Sequence, residues 1–280
     1  MRIRCFGARG SIPVSGREYV LFGGDTTCLE IRTADDEIVV VDAGSGIRRL
    51  GNRLMDEGRS RLTMLFTHSH WDHILGFPFF KPIYSPSTHI DLFGCPMGQG
   101  NVELLLSKTM AAPYFPVPYS ALKARIEYKG VCGERLSVGR LRVTSIPLSH
   151  PNLGLGYRFE EDGRSFVFLT DNEPAHPHPG GRSAEEYAAF SRGADVLMHD
   201  AEYTEADYAL TRGWGHSLYT DALDLALRAD VGSFFLFHHN QNRSDAALKE
   251  MVADCRRLAD AAGRPEMGVA AAAQDLEIEL

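Results

Sequence analysis

The sequence has little cysteine and no close pairing of it. Cys5, Cys28, Cys95, Cys132 and Cys255 are scattered through 280 residues with no C-x-x-C spacing. An odd, dispersed set excludes a disulfide framework and a cysteine metal cluster, and points to a reducing compartment, the cytoplasm, with the thiols as core or neutral filler. Long apolar runs are also missing; none approaches the roughly 18 residues of a membrane helix. The opening MRIRCFGARGSIP has no apolar stretch behind its arginines, so no secretory signal is expected. No block of lysine or arginine occurs, and 29 basic against 37 acidic residues give a formal charge of −8. Duplex nucleic acid, whose binding rests on basic patches, is therefore set aside as a partner. Low-complexity linkers and short repeats are absent as well. What is present is a globular composition, 44% hydrophobic and 24% charged, long enough to bury a core without disulfides.

Apolar and β-branched runs at Ile3–Phe6, Cys28–Ile31, Ile38–Asp42 and Leu62–Phe66 predict strands, and the spacing of Ile47, Leu50 and Leu54 predicts a helix over Gly44–Glu57. Positions 77–128, rich in proline and aromatics, are expected to be an irregular, lid-like insertion. Strands follow at Leu141–Ile146, Gly154–Phe159 and Ser165–Thr170. Helices at 184–192, 217–229 and 245–262 then alternate with strands at 195–199, 233–237 and near 275–279. This pattern accommodates either two sheets or one large mixed sheet with helices outside.

The strongest chemical signal is Thr67-His68-Ser69-His70-Trp71-Asp72-His73, four metal-capable side chains within six positions directly after a strand. Imidazole and carboxylate together suit zinc and similar divalent ions. Three further residues follow apolar strands: His150 after Leu148-Ser149, Asp171 after Phe168-Leu169-Thr170, and His238 after Phe237. Taken singly, each reads as ordinary polar chemistry at a strand edge.

H-x-H-x-D-H after an apolar strand, with those three later residues in that order, resembles the metallo-β-lactamase superfamily along nearly the whole chain. The resemblance implies a single α/β domain over 1–280, an αββα sandwich of two mixed sheets flanked by helices, with two divalent ions at the sheets' edge. Zinc is the expected ion, with manganese as the alternative. His68, His70 and His150 would hold one ion; Asp72, His73 and His238 would hold the other, and Asp171 would bridge them. Glutamate would stand at His70 in a flavo-diiron protein, so hydrolysis is implied over redox chemistry.

His216, in Gly213-Trp214-Gly215-His216-Ser217, lies 22 positions before His238. This resembles the superfamily's phosphodiesterase branch, ribonuclease Z and small cyclic-phosphate phosphodiesterases, where a histidine so placed offsets transition-state charge or protonates the leaving oxygen. Asp200, in Met198-His199-Asp200, stands where that branch has an acidic residue; it either orients His216 or bonds the backbone at a strand end. His216, Asp200 and Asp72 are thus the expected catalytic residues. Ribonuclease Z carries a tRNA-gripping arm between the counterparts of His150 and Asp171, here only 21 positions apart. A small substrate is expected instead.

The segments Gly7-Ala8-Arg9-Gly10-Ser11-Ile12-Pro13 and Gly23-Gly24-Asp25-Thr26-Thr27-Cys28 are similar to phosphoribosyl cyclic phosphodiesterase-like proteins, in which asparagine is commoner at the place of Asp25. Pro113-Tyr114-Phe115-Pro116-Val117-Pro118 is similar to the lid segment of anti-Pycsar nucleases, which open cyclic pyrimidine nucleotides. Tyr114 and Phe115 would stack on a base or pack on their own core, and Asn240 and Arg243 would hold phosphate. His176 and His178 read as solvated, His199 and His239 should point away from the site by strand alternation, and His89 has no nameable partner. The expected function is a binuclear phosphodiesterase acting, through a water shared by the ions, on a cyclic nucleotide or cyclic sugar phosphate. The expected assembly is a homodimer whose 110–118 segment covers a metal site, its own or its neighbour's. A lactonase or thioesterase with the same ions, and a metal-bound sensor without turnover, are the rival readings.

Overall fold

A computed structural model describes residues 1–94, 101–130 and 135–280, so Cys95 and Cys132 lie outside the described residues; Cys5, Cys28 and Cys255 are buried and free. The first half of the chain runs β1 (Arg2–Gly7), β2 (Cys28–Arg32), β3 (Ile38–Val41), α1 (Ile47–Asp56), β4 (Arg61–Leu65), α2 (Trp71–Ile74), β5 (His89–Gly94), α3 (Val102–Thr109) and β6 (Arg125–Gly130). The second half runs β7 (Leu136–Val138), β8 (Leu141–Pro147), β9 (Leu155–Glu161), β10 (Arg164–Leu169), α4 (Ala184–Ser191), β11 (Val196–Asp200), α5 (Glu205–Thr211), α6 (Tyr219–Arg228), β12 (Ser233–Phe237), α7 (Asp245–Ala261), β13 (Gly268–Ala271) and β14 (Glu277–Glu279). They form two seven-stranded sheets, ordered β14-β1-β2-β3-β4-β5-β6 and β13-β12-β11-β10-β9-β8-β7. Both sheets are mixed: β3 to β6 and β10 to β13 run parallel, the remaining pairs antiparallel.

The layering follows from strands that are apolar on both faces, as strands covered on both sides must be. In β10, Phe166 and Phe168 face the other sheet and share one cluster with its Ile31 and Val39 and with Tyr157 and Phe237 of their own sheet. Val167 and Leu169 face outward, under Tyr187, Leu223, Leu225 and Leu248 of α4, α6 and α7. On the first sheet, Val40 and Met64 face Ile47, Leu50 and Leu54 of α1. The result is the expected αββα sandwich.

The stretch 77–128 differs from the expectation of irregular chain. His89–Gly94 alternates half-buried and buried residues, pairs in parallel with β4, and is followed by β6 in the same sheet. Around it, Phe115, Tyr119 and Leu122 pack on the helix-side core of the first sheet. The strands β7 and β13 and the helix α5 also lie outside the expected elements; all are seven residues or shorter. Among the described residues no helix is long and apolar enough to cross a membrane.

The strands of the mixed sheets bring their carboxyl ends to one edge, where open α/β sheets bind ligands. β10, β11 and β12 point the same way, and β8 shares that direction because both it and β10 run antiparallel to β9. Phe168 lies in the apolar layer between the two sheets, in one cluster with Ile31 and Val39 of the first, and its ring also meets Phe237 of its own sheet at 5.0 Å. Phe168→Ala is expected to lower stability by about 3–5 kcal/mol, read as a drop in urea midpoint at unchanged slope.

Candidate metal centre

Seven residues of the site sit just past a strand or close it. Asp42 follows β3, His68 and His70 follow β4, and His150 follows β8; Asp171 and His238 follow β10 and β12. Asp72 and His73 lie one turn further on, in α2, and Asp200 is the last residue of β11. Asp42, Asp171 and His238 adopt φ of 61°, 48° and 57°, a region side chains other than glycine enter only when the surroundings hold them there. At each, the chain turns sharply as it leaves its sheet.

The side chains converge in two groups that share Asp171: His68, His70, His150 and Asp171, and Asp72, His73, Asp171 and His238. His68 Nε2 is 3.5 Å from Asp171 Oδ2, and His150 Nε2 is 3.0 Å from His70 Nδ1. His73 Nε2 is 3.1 Å from Asp171 Oδ1, and His238 Nε2 is 3.0 Å from Asp72 Oδ2 and 3.4 Å from Asp171 Oδ2. His68 Nε2 and His73 Nε2 are buried yet hydrogen-bond to nothing. Buried nitrogens without partners, aimed at carboxylates in a nitrogen and oxygen donor set, fit divalent cations.

The electrostatics of the two groups differ. Burial holds the imidazoles of His68 and His70 below their ordinary range, and pushes His150 down to about 3. All three therefore keep lone pairs free for a cation. Burial also opposes charge on His73 and His238, but the carboxylates around them, Asp72 and Asp171 foremost for His73 and Asp171 for His238, outweigh it and raise both. Asp72 and Asp171 are in turn held well below the carboxylate range despite burial, His73 being the chief counterweight at Asp72 and His238 at Asp171.

Further groups orient these side chains from behind. Asp42 accepts from the Thr67 N–H and Oγ1, each at 2.7 Å, and lies 2.8 Å from His73 Nδ1. Glu202 Oε2 lies 2.9 Å from His238 Nδ1. The Gly215 carbonyl lies 2.8 Å from His150 Nδ1, and the Ser11 N–H donates to Asp72 Oδ2 at 2.9 Å. Asp42 and Glu202 were not singled out by the sequence. Asp42 lies directly after a buried apolar strand, a position much like that of Asp171, which the family resemblance pointed to; nothing local marks Glu202.

His216 joins this centre. Its ring stacks on His238 at 4.6 Å and meets His150 edge-on at 5.2 Å. Its Nδ1 lies 2.7 Å from Asp200 Oδ2, while Asp200 Oδ1 accepts from the N–H groups of Glu202 and Ser217. Of the two alternatives for Asp200, it does both. Burial pushes His216 down, but Glu202 and Asp200 together overcome it and raise the imidazole to about 9. Glu173, also absent from the sequence reading, accepts from the N–H groups of Gly213 and Gly215 and from Tyr208 Oη, and so fixes the loop that carries His216.

The other candidates are placed elsewhere. Tyr114 is exposed, and Phe115 sits edge-on to Phe79 on the helical layer. Asn240 donates to Glu202 Oε1, and Arg243 pairs with Asp207 and reaches the Glu202 carbonyl, so both are engaged with the chain itself. His178 is not solvated as expected: its Nε2 lies 2.9 Å from Glu173 Oε2. His199 and His239 are buried and point away, towards Asn172 and the Ala272 carbonyl. His89 does have neighbours, Glu127 at 3.5 Å and Asp91 at 4.0 Å. Asp25 bonds Ser45 Oγ and Gln274 Nε2.

Comparison with known proteins agrees with this architecture. Residues 38–239 match the beta-lactamase superfamily domain. A protein named ribonuclease Z from Picrophilus torridus is 23% identical over 296 aligned positions, covering 88% of each chain. Among solved structures, the metallo-beta-lactamase fold protein YhfI from Bacillus subtilis superposes with a TM-score of 0.72 at 15% identity, covering 100% of this chain and 99% of that one. A diphosphatase from the PhnP family reaches 0.70 at 18% identity, covering 100% and 97%.

The geometry predicts that divalent cations stabilise the protein. After chelation, zinc or manganese at about a hundred times its dissociation constant should add about 2.7 kcal/mol, roughly 5–10 °C in melting temperature for a chain of this size. Asp171→Ala, which removes the carboxylate common to both groups, should abolish most of that shift. An equal shift in the variant would refute the shared role.

Proposed function

The chain belongs to the beta-lactamase superfamily, and on that basis we propose that it is a metal-dependent phosphodiesterase acting on a small phosphodiester, a cyclic nucleotide or a cyclic sugar phosphate. The observation that carries this reading is His216, held through Nδ1 by Asp200 against both His238 and His150. Carbonyl hydrolysis, as in a lactonase or thioesterase, has no evident need of such a group. The ribonuclease Z relative supports phosphorus as the centre attacked.

His68, His70 and His150 would hold one divalent ion, Asp72, His73 and His238 a second, with Asp171 between them. When bound, such ions supply Lewis acidity, polarising phosphoryl oxygens and lowering the pKa of water. The chain's own residues account for the rest. Asp72, ionised between His73 and His238 and fixed by the Ser11 N–H, is placed to orient an attacking water. In-line attack on phosphorus builds charge on the equatorial and leaving oxygens. His216, protonated because Glu202 and Asp200 face it, has Nε2 left to offset that charge and to donate a proton to the leaving oxygen. A small substrate fits because β9, β10 and their connections take up most of the residues between His150 and Asp171.

His216→Ala is expected to retain its metal content and to lose roughly 10²–10⁴ in turnover on a cyclic nucleotide, whose alkoxide leaving group needs a proton. The loss on bis-p-nitrophenyl phosphate should be smaller, because p-nitrophenolate leaves unprotonated. Wild-type turnover of cyclic nucleotides by the metal-loaded variant would overturn the reading and move the lactonase ahead.

A further inference from the structure

The chain has two tryptophans, and both are exposed beside the metal centre. Trp71 opens α2 between His70 and Asp72 and is 68% exposed; Trp214 lies two residues before His216 and is 63% exposed. Tryptophan is on average among the more buried residue types. Neither indole makes a hydrogen bond or ring contact with a described residue.

The two are linked through the site itself. Trp71 is bonded to His70, whose Nδ1 lies 3.0 Å from His150 Nε2; His150 Nδ1 lies 2.8 Å from the carbonyl of Gly215, the neighbour of Trp214. The side chains of His70 and His216 are the partly exposed ones of the centre, whereas those of His68, His73, His150, Asp171 and His238 are buried. The centre is therefore most open at His70 and His216, the residues beside which the tryptophans stand in the chain.

Their backbones are also held firmly. Trp214 sits between Gly213 and Gly215, at φ of 85° and 96°, where a side chain would be strained, and the N–H groups of both glycines donate to the buried Glu173 at 2.8 and 2.7 Å. Trp71 is carried between two residues whose side chains are fixed in the cluster. Indoles without partners on rigid supports are the arrangement that recognises flat rings, since the aromatic face is presented at little entropic cost.

We propose that Trp71 and Trp214 bind a planar aromatic substituent of the substrate by stacking, so that the small phosphodiester is a nucleotide and not a sugar phosphate. This rests on the phosphodiesterase reading above and narrows its substrate class. Both tryptophans act as specificity-determining residues for the ring, apart from the chemistry at phosphorus.

The test uses the full-length, metal-loaded protein. Intrinsic fluorescence, which only these two indoles supply as tryptophan emission, should be quenched by adenosine or uridine monophosphate and not by ribose 5-phosphate. Trp71→Ala and Trp214→Ala should each raise KM for a cyclic nucleotide by about tenfold, a penalty at least several times larger than for a cyclic ribose phosphate. Trp71→Phe, which keeps an aromatic face, should recover most of the loss. Equal binding of nucleotide and ribose phosphate, or alanine variants that penalise both substrates alike, would overturn the proposal. So would a dimer, found by light scattering, in which both indoles are shielded from quenching by iodide. If nucleotide-specific quenching occurs but no phosphodiester is hydrolysed, the stacking role stands and the phosphodiesterase reading falls. If bis-p-nitrophenyl phosphate is cleaved without preference for nucleotides, the reverse holds.

Discussion

Five carboxylates, Asp42, Asp72, Asp171, Asp200 and Glu202, are buried at one edge of the sandwich, and the arrangement around them depends on how that charge is balanced. A carboxylate in a low-dielectric interior is tolerated only when paired and hydrogen-bonded. Here imidazoles do the pairing: His73 for Asp42, Asp72 and Asp171, His238 for Asp72, Asp171 and Glu202, and His216 for Asp200. His68, His70 and His150 stand apart as neutral bases, and that division gives the centre both the negative charge and the free lone pairs a divalent cation needs.

The sandwich makes this possible by placing the strain and the polar groups where the sheets end. The turns at Asp42, Asp171 and His238 carry positive φ, which costs about 1–3 kcal/mol each, and each follows a strand whose last two residues are buried. The apolar layers on both faces of β10 stabilise what its carboxyl end does not. Site and core are therefore not separable: the same strands that present Phe168 and Phe237 to each other present Asp171 and His238 to the cluster.

Much of the site was legible because its residues follow a simple rule, a polar ligand type directly after an apolar strand. The rule marked the cluster His68, His70, Asp72 and His73, the family resemblance added His150, Asp171 and His238, and the structure brings all seven together. Applied evenly it would have found Asp42, which follows four buried β-branched residues. Glu202 and Glu173 could not be found this way, because their partners, His238 and the 213–215 loop, are fixed only by which strands and loops become neighbours. The fold was readable where periodicity was long, as in α1 and α7, and not where elements were short. β5 alternates cleanly but has proline on both sides of it in the sequence, and α5 is seven residues long, although Thr204 and Asp207 form a capping box that announces it. Asn240 and Arg243 were legible as polar groups near the last ligand but not as groups already bound by Glu202 and Asp207.

The attachment of Glu173 to the loop that bears His216 limits how the molecule can move. To swing that loop away would strip a buried carboxylate of two backbone N–H donors and the Tyr208 hydroxyl at once, and burial makes an abandoned acceptor costly. The loop is a poor gate. Its imidazole stands in position in the free protein, and traffic into and out of the cleft must be regulated by the opposite rim or be left ungated. A turnover rate set by slow closure of this loop is not compatible with such an anchor.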